Sequence, residues 1–484
     1  MMNDKKTKKE QKQSFCPVAG KCGGCQLQNM SYERQLGFKE AKVIKLLGKY
    51  CHVDRIIGME HPYNYRNKVQ AAFGSTRGGK IISGVYQSGS HRIVCVDSCR
   101  TEDKKADEII VTIRSMMPKF RMTAYNEDRK TGFLRHVLVK RGFQSGEIMV
   151  VLVTGTVAFP GKNAFIKALL EAHPDITTIV QNINNSGTSM VLGDTEKVLY
   201  GKGKIKDTLC GCVFDISAKS FYQINPIQTE KLYSTAIEFA DLSGKETVID
   251  AYCGIGTIGI VAAPKAKQVV GVEVNRDAVR DAIGNAKLNG TDNIRFYCAD
   301  AGDFMVAMAA AGEKVDVVFM DPPRAGSDKA FLSSVVTLSP KRVVYISCNP
   351  ETQARDIAFL TRNGYKVKRI RPVDMFPHTA HIETVALLVR NISTKEHVVI
   401  EVRPEELELG SLKTHGTYEE IKSYVLKKHG LKVSTLNISQ VKRKCGIDVG
   451  EAYNKPKSKD AKVPNCPPEK EKAVIDALKH FNMI

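Results

Sequence analysis

Between residues 247 and 389, seven short apolar runs are separated by stretches long enough to form helices. The runs are Thr247–Asp250, Gln268–Glu273, Ile294–Cys298, Val315–Met320, Arg342–Ser347, Lys366–Pro372 and Thr384–Val389. Strands buried on both faces read as continuous Val/Ile-rich runs, and parallel neighbours need a crossover between them. The alternation therefore predicts an α/β fold, a parallel, doubly wound sheet occupying residues 216–391. Sheets of this kind carry their chemistry at the C-terminal ends of the strands.

The first run leads into Asp250-Ala251-Tyr252-Cys253-Gly254-Ile255-Gly256 and then a helix. Glycines there let a ligand approach the backbone, and the helix N-terminus favours polar or anionic groups. The second run ends at Glu273, where a carboxylate can hold both hydroxyls of a ribose. A dinucleotide suits this pattern too, so a Rossmann dehydrogenase is a competing reading. The third run leads to Asp300, where an acceptor for an adenine amino group is expected, and the fourth to Asp321-Pro322-Pro323-Arg324. The fifth ends in Ser347-Cys348-Asn349-Pro350, which places one thiol at a strand end as a candidate nucleophile. A lone cysteine is more often a buried apolar thiol, but the loop position and Asn349-Pro350 argue against that here. Glu383, after Pro377-His378-Thr379-Ala380-His381-Ile382, is the candidate base, with His378 and His381 as rivals.

Upstream, Cys16-x5-Cys22-x2-Cys25 has metal-ligand spacing. Zinc and iron–sulfur sites both favour four ligands, so a fourth must come from elsewhere, with Cys95 and Cys99 as candidates. Residues 31–50 show a helical pattern with Leu36, Ala41, Ile44, Leu46 and Leu47 as expected core positions. Residues 63–215 consist of short strand-like runs divided by Gly, Asn and Ser, which predicts an antiparallel β-rich domain with helices at Asp103–Met117 and Lys162–His173. The expected organisation is a basic tail (1–13), the cysteine loop and helix (14–62), the β-rich domain (63–215), the parallel-sheet domain (216–391) and an accessory module (392–484). Residues 411–484 carry 15 Lys+Arg against 8 Asp+Glu, with helical patterns at Tyr418–Lys428 and Glu469–Phe481.

These motifs, in this order from about Cys16 to Leu388, resemble the class I methyltransferases that act on C5 of uracil in RNA. The closer likeness is to their iron–sulfur branch acting on 23S ribosomal RNA. The resemblance implies a Rossmann-like class I methyltransferase domain with a reversed last strand. It also implies S-adenosyl-L-methionine as methyl donor, bound by Gln223, Tyr252, Glu273 and Asp321, with Asp300 as a further contact. Gln223 lies in Phe221-Tyr222-Gln223-Ile224-Asn225, which matches the family's Phe-x-Gln-x-Asn pattern. Cys348 is implied as nucleophile and Glu383 as the base that removes the C5 proton. Arg324, where enzymes acting on exocyclic amines carry an aromatic residue, argues against N-methylation. The cysteines Cys16, Cys22, Cys25 and Cys99 are implied as ligands of a [4Fe–4S] cluster without a redox role. The N-terminal RNA-binding barrel common in the family is not expected here, because the first cluster cysteine is residue 16. A tRNA uracil-C5 enzyme is the alternative within the class, although its bacterial form lacks the cysteines. A metal-bearing RNA-binding protein without catalysis is the alternative outside it, and intact Cys348, Glu383 and Asp321 speak against that.

A net charge of +20 and pI near 9.3 make a polyanionic partner plausible. Expected RNA contacts are Tyr65-Arg66-Asn67-Lys68, Arg135-His136 and Lys140-Arg141, with Tyr63 and Phe133 interleaved for stacking on bases. The N-terminus is charged with no apolar core behind it, and 13 cysteines are unevenly spread. A cytoplasmic protein with reduced thiols and no membrane segment is expected. A monomer is expected, since no oligomer is required.

Overall fold

In the computed structural model, residues 16–87, 89–186, 190–391, 418–445, 447, 466–481 and 483 are described. The chain divides into two units, 1–393 and 394–484. The expected basic tail lies outside the described residues.

The first sheet of unit 1 is built from β1 (Lys68–Ser75), β2 (Ile81–Tyr86), β3 (Ile93–Cys95), β4 (Leu134–Arg141), β5 (Ile148–Thr154), β6 (Ile176–Ile183) and β7 (Thr195–Tyr200) in the order β3-β2-β1-β4-β5-β6-β7. It is mixed rather than antiparallel throughout, because β5 and β6 pair parallel. The helix Lys162–Ala172 between them supplies the crossover that a parallel pair requires. Every residue of β5 is buried, since both faces of the sheet are covered. Ile148, Val150 and Leu152 pack with the helices Lys104–Met116 and Lys162–Ala172, whose bounds agree with expectation within one residue. Met149, Val151 and Val153 face the hairpin of β8 (Lys204–Leu209) and β9 (Cys212–Ser217), in a core shared with the second sheet.

That second sheet contains β10 (Thr247–Ala251), β11 (Gln268–Glu273), β12 (Ile294–Cys298), β13 (Val317–Met320), β14 (Arg342–Ser347), β15 (Tyr365–Val373) and β16 (Glu383–Arg390). Its order is β12-β11-β10-β13-β14-β16-β15. The first five strands in that order pair parallel, and β16 runs antiparallel to both neighbours, so the last strand is reversed as expected. The order reverses at β10, so the C-terminal ends of β10 and β13 flank the crevice where such sheets bind ligands.

The helix Tyr32–Leu47 packs on this second sheet. Its buried stripe is Gln35, Lys39, Val43 and Leu47, while Ile44 is exposed and Ala41 also faces out. Of the expected core positions only Leu47 lies on this stripe, because half of the buried face is polar. Lys39 is fully buried and its Nζ lies 2.5 Å from Oδ1 of the equally buried Asp374. Bridges Val53–Ile370 and Ile57–Val373 then lay the following segment along the β15 edge.

Unit 2 contains three described helices, Tyr418–His429, Thr435–Lys444 and Pro468–His480, packed through Ile421, Val425, Ile438, Val441, Val474 and Leu478. The first and third match expectation. The second was not among the expected helices, and a Ser434–Asn437 capping box starts it. Among the described residues, no helix is long and apolar enough to cross a membrane.

Candidate active site

The turn after β10 is shaped by contacts that only small residues allow. Gly254 and Gly256 adopt φ of 55° and 83°, the left-handed region where glycine carries no steric penalty. Gly259 donates its N–H to the buried Asp250 Oδ2 at 2.7 Å, and a Cβ there would lie 2.9 Å from that oxygen. Gly254, Gly256 and Gly259 stand at the spacing that dinucleotide-binding turns also use. The glycines alone therefore leave the dinucleotide reading open. Glu273 accepts the Gly254 N–H at 3.1 Å and the Asn275 N–H at 2.8 Å, so it ties the turn to the end of β11. Tyr252, at φ 65°, donates its hydroxyl to Ser327 at 3.3 Å. Asp300 caps the helix Ala301–Ala310, and one of its oxygens, Oδ1, accepts from both Gly302 and Asp303. Gln223 sits half-buried in the segment that Asn225 anchors by capping the next helix and bonding the Met375 carbonyl at 3.0 Å.

Past the C-terminal ends of β13 and β14, a cleft of about 200 Å³ is lined by Arg324, Cys348, Asn349, His381, Ile382 and Lys42. Asn349 explains the local sequence. Its side chain caps the helix Pro350–Arg362, with Pro350 in the first turn where its missing N–H is harmless, and its Nδ2 bonds the Arg324 carbonyl at 3.2 Å. The Cys348 and Asp321 loops are thus held as one piece. Burial pushes the Cys348 thiol up, the charges of Glu383 and Asp321 push it further, and Arg324 opposes them. Glu383 is 4% exposed at the start of β16. Burial and then the Asp321 charge hold its carboxyl well above the usual range, while burial raises Asp321 to about 7. Two carboxyls so placed resist joint ionisation, which suits one of them to take up a proton near neutral pH.

The rival bases separate clearly. His378 is 3% exposed and its ring is engaged on both nitrogens, by Gln35 at 3.2 Å and by the Pro62 carbonyl at 2.8 Å. His381 faces the cleft 3.4 Å from Arg324, and burial followed by that guanidinium lowers its pKa.

Cys16, Cys22, Cys25 and Cys99 line one cavity with Arg66, whereas Cys95 does not line it and is exposed in β3. Burial and then the Cys99 thiol raise Cys25 to about 11. Among the described residues, no group of three or more His, Cys, Asp or Glu is arranged to hold a metal ion, so a metal centre is not shown. Four thiols converging on a cavity with a guanidinium beside it are nonetheless a donor set of the right kind for an anionic cluster.

Most of the expected RNA contacts are structural. Tyr65, Asn67, Phe133, Arg135, His136 and Lys140 are each at most 8% exposed. Arg135 pairs with Glu127 at 2.6 Å, and Lys140 donates to the Ser217 and Ser220 carbonyls, both at 2.8 Å. Within β4, both faces of the strand are covered, so Arg135 and His136 are buried although they point to opposite sides, a fact that the local sequence alone does not reveal. Tyr63 remains 44% exposed.

Fold and strand-end residues together define a class I methyltransferase. A family model described as tRNA (Uracil-5-)-methyltransferase matches residues 196–391. An RNA methyltransferase of Halalkalibacterium halodurans is 46% identical over 378 residues, covering 77% of this chain and 82% of that protein. One from Staphylococcus aureus is 45% identical over 377 residues, covering 77% and 83%. The crystal structure of the Pyrococcus abyssi tRNA (uracil-54, C5)-methyltransferase in complex with S-adenosyl-L-homocysteine is similar at 30% identity and a TM-score of 0.65, covering 76% of this chain and 86% of that one. The chain belongs to the RNA uracil-C5 methyltransferase family.

Proposed function

We propose that this protein methylates C5 of a uracil in 23S rRNA, through a covalent bond between Cys348 Sγ and C6. The observation that carries the reading is a cleft lined by Cys348 and Arg324, with Glu383 and Asp321 near enough for their charges to act on the Cys348 thiol. Bound S-adenosyl-L-methionine supplies an electrophilic methyl group, and Gln223, Tyr252, Glu273 and Asp321 are the residues assigned to hold it, with Asp300 as a further contact. Uracil C5 is too weakly nucleophilic to attack that methyl unaided. The Cys348 thiolate adds to C6, the C5=C6 electrons shift to C5 and the C4 oxygen, and C5 takes the methyl group as its bond to the sulfonium sulfur breaks, leaving S-adenosyl-L-homocysteine. Glu383 then removes the C5 proton, the C5=C6 bond re-forms, and the C6–S bond breaks to release the thiolate. Arg324 favours the thiolate at the start and end of this sequence. A base inside an RNA helix must be extruded to reach Cys348, so the cleft acts on a flipped or unpaired uridine.

Cys16, Cys22, Cys25 and Cys99 would hold a [4Fe–4S] cluster with a structural role. The four-thiol cavity supports the rRNA assignment through its likeness to the iron–sulfur branch. Similarity to a protein described as a tRNA (uracil-54, C5)-methyltransferase supports a second reading, a tRNA uridine. The deciding experiment is mass-spectrometric mapping of 5-methyluridine in rRNA and tRNA from cells lacking the protein. Complementation with wild type and Cys348→Ala belongs in the same experiment. A site lost from 23S rRNA and restored only by wild type is expected. Loss confined to tRNA would favour the second reading, and no loss from either would overturn both.

A further inference from the structure

The loop joining β15 to β16 carries His381 into the cleft and ends at Glu383, yet residues of the N-terminal segment hold it. His378 stands at φ 69°, a conformation that a non-glycine side chain keeps only when its surroundings over-determine it. Here they do. Its N–H donates to Gln35 Oε1 at 2.9 Å, and its carbonyl accepts from the Leu27 N–H at 2.9 Å. Gln35 Nε2 donates to Nδ1 at 3.2 Å, which leaves the ring proton on Nε2 to reach the Pro62 carbonyl at 2.8 Å. Tyr63 stacks on the ring at 4.6 Å between centroids. Nearby, Gln26 Oε1 accepts the Ala380 N–H at 3.1 Å, and Lys39 Nζ donates to the Phe376 carbonyl at 2.9 Å.

We propose that Gln35 is a positioning residue for proton removal. Both ends of its amide grip His378, which fixes the path of the loop to His381 and Glu383 without Gln35 touching substrate. The inference rests on the covalent mechanism proposed above. Cys348 sits on a separate loop tied to Arg324, so loosening the β15–β16 loop leaves thiolate addition in place and slows the later step.

The test uses full-length Gln35→Leu and Gln35→Glu, the latter retaining an acceptor for the His378 N–H. RNA is transcribed as 23S rRNA and as tRNA, with uracil or with 5-fluorouracil, whose C5 fluorine blocks proton removal. Expected is a wild-type yield of covalent 5-fluorouracil complex from Gln35→Leu. With uracil RNA and methyl-labelled S-adenosylmethionine, its label should accumulate in a covalent protein–RNA complex whose release is at least ~10-fold slower, a ~1.4 kcal/mol rise in barrier. Gln35→Glu should fall between the two, and it carries the test alone if Gln35→Leu does not fold. Parallel loss of complex formation and release, or unchanged release, would overturn the positioning role and reduce Gln35 to a structural residue. If wild type itself forms no 5-fluorouracil complex with either RNA, the covalent mechanism fails instead, and the inference with it.

Discussion

Asp321 and Glu383 show how burial prepares a residue for chemistry. A solvated carboxylate is a poor acceptor for a carbon-bound proton, and desolvation beside a second carboxyl raises its basicity. If Glu383 acts only on the C5 proton, Glu383→Gln should methylate once and stall as a covalent protein–RNA complex, visible on a denaturing gel. The same burial has a stability signature. Asp321, raised to about 7 by burial, is an acid whose folded pKa exceeds its unfolded one. Its contribution is therefore fully present below the unfolded pKa and is lost as pH rises through the folded value. Asp321→Asn should raise the melting temperature more at about pH 8 than at about pH 5, as thermal unfolding at the two pH values would show. Arg324 acts in the opposite sense on the thiol. Arg324→Ala should slow iodoacetamide labelling of Cys348 several-fold, measured by peptide mass mapping, because it removes the charge that favours the thiolate.

Among the elements, the helix Tyr32–Leu47 departs most from its expected role. Its polar stripe clamps the end of β15, with Lys39 and Tyr32 both bonded to the Asp374 carboxylate. Removing one member of a buried pair leaves the other charge uncompensated, at about 3–5 kcal/mol. Lys39→Met should lose stability of that order in urea denaturation. The double variant Lys39→Met/Asp374→Leu should recover part of the loss, since no bare charge remains. The reason the pair was not legible is plain. Gln35 and Lys39 sit one turn apart on a helix whose apolar residues are scattered, and their partners lie more than three hundred residues away. A mixed apolar and charged pattern reads as a surface helix until those partners are known. The residues around Arg135 and Lys140 failed the same way, because a basic side chain facing inward looks no different in sequence from one facing water.

At the scale of the molecule, the residues assigned to chemistry are divided unevenly between the two units. Every residue assigned to chemistry lies in 1–393, which also carries most of the net positive charge, while 394–484 holds 17 Lys+Arg against 13 Asp+Glu. Not all of that charge is free for RNA, since Lys442 is 6% exposed and packs over the Tyr418 ring at 4.5 Å. Truncation after residue 393 should weaken RNA binding and flatten its dependence on salt, because fewer phosphate contacts release fewer counterions. Affinity for S-adenosylmethionine should stay the same. Unchanged RNA affinity and salt slope would assign the second unit to protein contacts.

The sequence by itself determined the parallel sheet and the residues at its strand ends. Apolar runs and glycine turns are local signals, and strand ends become chemical positions as soon as the strand order is inferred. It also singled out Cys348, Glu383 and the four cysteines, because thiols and carboxylates at such spacings are few. Tertiary structure alone decided that β5 and β6 run parallel. It likewise decided that His378 is locked by Gln35 and Pro62 while His381 faces the cleft. Each of these depends on which distant segment lies opposite. Pairing, burial and the desolvation that shifts a pKa come from such contacts, and no local pattern encodes them.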